Sequence, residues 1–325
     1  MNRTTARRLL EAARGARVIV MGDVILDEYV MGGASRLSPE APVPVVEVAE
    51  VRVFPGGAAN VALNTARLGA STLLIGVIGN DAEGARLQSL LACEERLQTV
   101  LIEDEGRPTT KKSRVVASGH QIVRFDHEIR APLPSEIAGR VVAELKRHLD
   151  RGVGALVLSD YQKGVLCPEV LRTAIEEAKR QHVCCVVDPK LEDVTNYHGA
   201  SVLTPNLGEA RRAVAGGAGK STAELLSALV AKLDGASVLI TEGESGMTLL
   251  SPGGEPKHLK ARLRQVFDRT GAGDTVVAVL SVALASGASL LEAAELANAG
   301  AGVAVSKPGV VAVEPEEILL EFDDG

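Results

Sequence analysis

The chain has 325 residues, 46% of them hydrophobic, and a formal net charge of −7. That acidic balance excludes a broad nucleic-acid footprint, which needs a basic face to meet phosphates, but not a local basic pocket for a small anion. With four Phe, three Tyr and no Trp the core must be aliphatic, and the length suits one large α/β unit with an appendage, or two domains.

The opening stretch, "MNRTTARRLLEAARGARVIVMGD", is basic and leads directly into an apolar strand without an h-region or cleavage site, so it reads as a helix. No apolar run reaches the about 18 residues of a membrane span, and a cytoplasmic location is expected. "ARVIVMGD" is a short branched run ending in Gly-Asp, as a buried parallel strand should be. Similar runs recur at "STLLIGVIG", "GALVLSDY", "VCCVVDPK", "ASVLTPN" and "ASVLITEG". Helical patterns lie between them at 58–68, 82–91, 135–149, 168–180 and 222–233. This alternation predicts an α/β fold with a doubly wound, mostly parallel sheet. Ligands gather beyond the carboxyl ends of such strands, which singles out Asp23, Asp160, Asp188, Asn206 and Glu242.

Two stretches break the alternation: "DEYVMGGASRLSPEAPVPVVEVAEVRV" and "PTTKKSRVVASGHQIVRFDHE". Their period-2 patterning predicts a small second sheet built from about 28–54 and 107–128, a flap over the carboxyl edge. The rest reads as a single unit over 1–325, without repeats or an interdomain linker. An open flap exposes edges and one apolar face, so a homodimer through the flaps is expected. Cys93, Cys167, Cys184 and Cys185 lack CxxC spacing, and "HVCCVVDPK" reads as core. The six His show no metal-ligand spacing.

The stretch richest in chemistry is "DRTGAGDTVVAV", 268–279. A helix beginning near Ala272 leaves its first N–H groups aimed at whatever lies in front. Glycines at 271 and 273 let that backbone approach a ligand, which makes an anion hole. Asp274 beside it can accept the proton of an attacking hydroxyl. The same residues also suit a plain helix N-cap, and the stretch alone leaves both readings open. Far upstream, "FPGGAANVALNTARLGA" places Gly56 and Gly57 before a helix that carries Asn60 on its first turns. Bare backbone and an amide there suit a substrate, as do the acceptors Asp23 and Asp27 in "GDVILDEY". "VAGGAGKST" imitates a P-loop but has Val214 where the pattern needs Gly, and it follows a helical segment, so it reads as a loop capping the helix from Thr222.

Taken together, "PGGAANVALNTARLGA" and "DRTGAGDTVVAV", in that order and on the order of 200 residues apart, resemble the ribokinase-like (PfkB) carbohydrate kinases. Within that family "SRLSPEAPVPVVEV", "LVLSDYQKG", "VVDPK" and "LTPNLGE" are similar to the branch that phosphorylates heptose 7-phosphate. The likeness runs from about residue 18 to 313, and in many bacteria that kinase is fused to a C-terminal nucleotidyltransferase. Since the chain stops soon after "GVVAVEPEEILLEF", a kinase domain without that partner is expected. The resemblance implies Asp274 as catalytic base and the amides of Gly271, Ala272 and Gly273 as anion hole. It implies ATP near Lys190, Asn206, Thr241, Gly243 and Asn298, with Glu209 organising Mg²⁺. It places Asp23, Asp27, Gly56, Gly57, Asn60 and Asp160 on the sugar side, and K⁺ near Asp268 and Thr270. One departure is Arg269, where the family usually has a small or β-branched residue; it is expected to face solvent or the triphosphate.

A phosphate on the sugar, remote from the reacting hydroxyl, needs fixed cations at the far end of the pocket. The flap offers Lys111, Lys112, Arg114 and Arg124, and "SDYQKG" adds Lys163. Arg124, set in "IVRFD", is the one expected to be least solvated. The readings that stay open beside a heptose-phosphate kinase are a kinase for another sugar, such as fructose phosphate or ribose, and a sugar-phosphate sensor without turnover.

Overall fold

In the computed structural model, which describes residues 1–190, 193–262, 267–307, 309 and 312–323, the apolar runs lie side by side in one sheet. Across it the strands are Lys257–Leu259, Met247–Leu250, Ser237–Thr241, Val202–Leu203, Cys184–Asp188, Ala155–Ser159, Arg17–Gly22, Ser71–Ile78 and Leu97–Glu103. All pair in parallel except the hairpin at one edge, where Met247–Leu250 and Lys257–Leu259 run antiparallel. Leu97–Glu103 escaped the sequence reading because an outer strand is half exposed and lacks the continuous apolar signal of a buried parallel strand, and the hairpin because its strands are only four and three residues long.

The pleat sorts the core into two layers. Val18, Val20, Leu74 and Val186 face the side covered by Ala58–Arg67, Ala272–Ala285 and Leu290–Val305. Ile19, Met21, Ile75 and Val187 face Ser135–Leu149, Pro168–Arg180 and Thr222–Lys232. Helix Ala272–Ala285 is buried without a break from Asp274 to Ala283, as a helix apolar all round must be. Among the described residues no helix is long and apolar enough to cross a membrane. "VAGGAGKST" ends in an ordinary capping box, in which Ser221 and Glu224 start helix Thr222–Lys232.

Strand order reverses between Arg17–Gly22 and Ala155–Ser159, the two central parallel neighbours. At this switch point the chain leaves the main sheet and enters the second one, whose order is Pro44–Gly57, Val24–Leu37, Lys111–Ala117 and His120–His127. Its first segment thus runs from Val24 to Gly57, wider at both ends than the 28–54 that the period-2 pattern marked, and its second from Lys111 to His127, narrower than 107–128. Its register sets the two faces. Phe54, Asp27, Lys112 and Asp126 form one cross-strand row, and Arg52, Tyr29, Arg114 and Arg124 form the row two residues along. Since side chains alternate, both rows lie on one charged face. Val51, Val30, Val115 and Val123 occupy the other face, on which Val51, Val123 and Phe125 are exposed.

Asp23 joins the two sheets. Its carboxylate is buried and accepts the backbone N–H groups of Tyr161, Lys163 and Val165 at 2.8, 3.0 and 3.0 Å. Its own N–H donates to the Ser159 carbonyl, and its carbonyl accepts from Ala58 at the start of the glycine-led helix. Burial raises the Asp23 pKa, and the three N–H donors pull it back down. Replacing Asp23 by Asn turns one acceptor oxygen into a donor facing N–H groups. Each buried donor left unmatched costs about 1–3 kcal/mol. The expected outcome for Asp23→Asn is a loss of about 2–4 kcal/mol in urea unfolding, accompanied by a loss of activity that added substrate does not restore.

Candidate functional site

Gly271, at φ 80°, is the N-cap of helix Ala272–Ala285, and no side chain caps it. Asp274 therefore does not serve its own helix. Its Oδ1 accepts from the Tyr161 hydroxyl at 2.6 Å, and its Oδ2 accepts from Asn60 Nδ2 at 2.7 Å. Asn60 is steadied in turn by Asn64, whose Nδ2 donates to the Asn60 carbonyl and Oδ1 at 2.9 and 3.0 Å. Asn64 Oδ1 accepts the Val313 N–H at 3.2 Å, so a buried amide chain runs from the C-terminal segment to the carboxylate. Burial raises the Asp274 pKa; Tyr161, Asn60 and Lys190 oppose that, while Asp27 reinforces it. The amide of Ala272 is engaged with the Arg269 carbonyl at 3.3 Å, whereas Gly273 opens onto a cavity on either side.

The larger of these cavities has a volume of about 470 Å³, with Thr241, Gly243, Met247, Val276, Asn298 and Ala301 in its wall. Its apolar lining with a few polar groups is the makeup of a small-molecule site. Asn298 is held there by donating to the Lys260 carbonyl at 2.7 Å. Arg269, at the rim, forms an ion pair with Glu244, which answers where its charge goes. The smaller cavity, about 200 Å³, is lined by Tyr161, Asp188, Lys190, Glu209 and Asp274 and shares Asn206, Thr241, Gly273 and Val276 with the larger one.

Asn206 and Glu209 exchange a capping box at the start of helix Leu207–Ala213. That leaves Glu209 Oε1 for the Lys190 ammonium at 3.0 Å, which also meets Asp188 at 3.2 Å. Burial pushes the Asp188 carboxyl up to about 7, with Lys190 opposing and Glu209 and Asp274 adding to the rise. Three carboxylates thus share one ammonium, a charge deficit that fits a divalent cation. Among the described residues no group of three or more His, Cys, Asp or Glu could hold a metal by itself. A divalent cation held here would need phosphate oxygens and water to complete its shell. On the helix side, Asp268 Oδ1 accepts the Thr270 N–H at 2.8 Å, which fixes the turn proposed for a monovalent cation.

On the flap side, Asp27 Oδ1 pairs with Arg114 at 2.6 Å. A Cβ on Gly56 would lie 2.0 Å from Asp27 Oδ2, and one on Gly57, at φ 57°, would lie 2.5 Å from the Asp23 carbonyl oxygen. The glycines are there because the two acids approach the backbone that closely.

Several expected sugar contacts are committed elsewhere. Asp23 is spent on three backbone N–H groups, and Asn60 donates to Asp274. Asp160 accepts from the Gln162 N–H and the Tyr197 hydroxyl at 2.8 and 2.7 Å. Lys163 is buried in an ion pair with Glu128 at 2.7 Å. Arg124 is not sheltered by its apolar neighbours: it is 49% exposed and pairs with Asp126, because the strand it sits on is an outer one. Lys111 points to the opposite face and pairs with Glu83. Lys112 differs from these cations. Its ammonium lies 5.1 Å from the centre of the Tyr161 ring, and burial lowers its pKa, with Asp27 opposing and Lys163 adding.

Sequence reasoning passed over three residues of this site, Tyr161, Asn64 and Asp188 as a wall of the phosphate cavity. Tyr161 directly follows the strand-end Asp160, and Asn64 stands one helical turn after Asn60, a spacing that puts both amides on one face.

A family profile described as "pfkB family carbohydrate kinase" matches residues 17–317. The chain is 44% identical over 318 residues to the bifunctional protein HldE of Caulobacter sp. (strain K31), covering 97% of this chain and 64% of that protein. It is 45% identical over 310 residues to the bifunctional protein HldE of Yersinia enterocolitica, covering 94% and 63%. The chain therefore spans about two thirds of these relatives. Among solved structures, Escherichia coli phosphofructokinase-2 in complex with potassium superimposes with a TM-score of 0.76 at 22% identity, covering 94% of this chain and 97% of that one. Arabidopsis thaliana ribokinase complexed with ribose and ATP gives 0.73 at 19%, covering 94% and 98%. At those identities the likeness is one of fold.

Asp160 generates a pH prediction. Burial pushes its carboxyl up to about 6 from an ordinary 3.8, so the folded chain holds a proton that the unfolded chain has released. Its contribution to stability is full below the unfolded pKa and is lost as pH rises through 6. Asp160→Asn, neutral throughout, should remove that fall. Relative to wild type, the variant should gain stability in urea unfolding at pH 7 over pH 4.5.

Proposed function

The chain belongs to the pfkB family of carbohydrate kinases, and from that premise we propose that it transfers the γ-phosphoryl group of ATP to the anomeric O1 of D-glycero-β-D-manno-heptose 7-phosphate. The product is the 1,7-bisphosphate. The observation that carries the reading is the Asp274 carboxylate, set in the cavity wall between the helix mouth and the charged face of the flap. Relatives named bifunctional protein HldE, alike over almost the whole chain, support the choice within the family.

In this reading the adenine side of ATP occupies the larger cavity beside Thr241, Gly243 and Asn298, and its phosphates extend past Asn206 towards Lys190. Asp274 takes the proton from the O1 hydroxyl as the phosphoryl group moves. The N–H groups of Gly271 and Gly273 meet the charge that develops at the helix mouth, while that of Ala272 is held by the Arg269 carbonyl. Glu209, through water, and Asp188 would hold Mg²⁺, which when bound neutralises phosphate charge. Asp268 and Thr270 are the place for K⁺. Asp27, Gly56 and Gly57 face the sugar, and Lys112 with Arg114 receives the remote 7-phosphate. Binding energy spent on that phosphate positions O1.

The test is ADP release with Mg-ATP on D-glycero-D-manno-heptose 7-phosphate, fructose 6-phosphate, fructose 1-phosphate and ribose. Turnover confined to the heptose phosphate is the expected outcome. Turnover on another sugar discards the heptose assignment, and silence throughout with ATP still bound turns the reading to a sensor. Asp274→Asn should lose about 10²–10⁴-fold in kcat while retaining ATP binding. The exposed apolar face with Val51, Val123 and Phe125 is proposed to dock on a second copy. Light scattering at micromolar concentration should then report a dimer, and a monomeric mass defeats the proposal.

A further inference from the structure

Asp274 is gripped from both sides by groups outside its own helix. Asn60 meets one oxygen and Tyr161 the other. Tyr161 is not a passive wall: its ring has the Lys112 ammonium at 5.1 Å and the Lys190 ammonium at 5.2 Å from its centre. Lys112 belongs to the flap and Lys190 to the loop after Cys184–Asp188, so the ring meets one cation from each sheet. The backbone N–H of Tyr161 is itself tied to Asp23, and the next residue, Gln162, takes the left-handed conformation at φ 54°. The loop therefore has one way to present this hydroxyl.

We infer that Tyr161 is a positioning residue for the phosphoryl transfer: its hydroxyl donates to Asp274 Oδ1 and holds that carboxylate ionised, turned towards the acceptor, while its ring lies against the Lys112 and Lys190 ammonium groups. The inference rests on the reading of Asp274 as base. A carboxylate oxygen can accept more than one hydrogen bond, so Tyr161 fixes the group without using up its capacity to take the acceptor's proton. The phenol stays neutral, because burial and then the Asp274 and Asp188 charges raise its pKa. The charged groups that bear on Asp274 are Lys190, which favours its ionised form, and Asp27 and Asp188, which oppose it. With those retained, loss of the hydroxyl removes one donor to the anion.

Tyr161→Phe keeps the ring and its contacts with both lysines. The acid limb of kcat/KM reports the base of the free enzyme. In the variant it should move upward by about one pH unit, the equivalent of one charge-assisted hydrogen bond. At neutral pH kcat should fall about tenfold or more, with KM for ATP nearly unchanged. Wild-type chain made with 3-fluorotyrosine carries a stronger phenol donor, and its limb should move the other way. This second arm covers the case in which Tyr161→Phe does not fold. A limb that stays in place in both proteins, with kcat retained, overturns the inference but leaves the base reading intact if Asp274→Asn is inactive. An active Asp274→Asn overturns both.

Discussion

The three N–H groups received by the Asp23 carboxylate are the constraint on which the site depends. A buried carboxylate is tolerated only when its charge is met, and here the backbone of residues 161–165 meets it. That bond set bends the chain after Ala155–Ser159 into a single conformation and brings the Tyr161 hydroxyl to Asp274. Through its own main chain Asp23 also fixes the entry to the flap and the start of helix Ala58–Arg67, so Asn60 reaches Asp274 from the other side. A buried acid that serves the backbone thereby decides where the Asp274 carboxylate stands.

The charges around the smaller cavity carry a negative excess. Asp188, Glu209 and Asp274 outnumber Lys190, and burial, with the Glu209 and Asp274 charges, pushes the Asp188 carboxyl up to about 7. Nucleotide phosphates alone would add to the negative excess; phosphates with a divalent cation relieve it. The flap presents a different balance. In its charged rows Arg52 pairs with Glu50, Arg114 with Asp27 and Arg124 with Asp126, and Lys112 lies against the Tyr161 ring.

Most of the architecture was legible because buried parallel strands advertise themselves. Arg17–Gly22, Ser71–Ile78, Ala155–Ser159 and Cys184–Asp188 each read as an unbroken branched run, and helices such as Ser135–Leu149 and Pro168–Arg180 showed their periodic stripe. Leu97–Glu103 did not, since one side of an edge strand is free to be polar, and the hairpin strands are too short to show a pattern. In the site, Asp274 with its flanking glycines was legible from local chemistry: a glycine turn, an acid and an apolar helix. Asp23, Asp160 and Lys163 have protein partners that stayed hidden for one reason. Residue type and position mark a strand-end acid or a loop lysine as polar and near the ligand, but not whether a buried backbone or a distant Glu128 has already claimed it. Tyr161 was missed because its partner is 113 residues away in sequence, beyond any local pattern.

The passage from main sheet to flap has a consequence for how such a protein changes its substrate. Gly22 ends one strand and Val24 begins the next sheet, with Asp23 alone between them. The flap is therefore welded to the catalytic scaffold instead of hung from it. A lid carried on a flexible tether can be exchanged as a cassette while the machinery below stays untouched. Here a transplanted flap would have to bring an acid at the weld that matches the recipient's 161–165 loop. New acceptor specificities are more accessible by repainting the charged rows, one side chain at a time, than by trading the sheet that carries them.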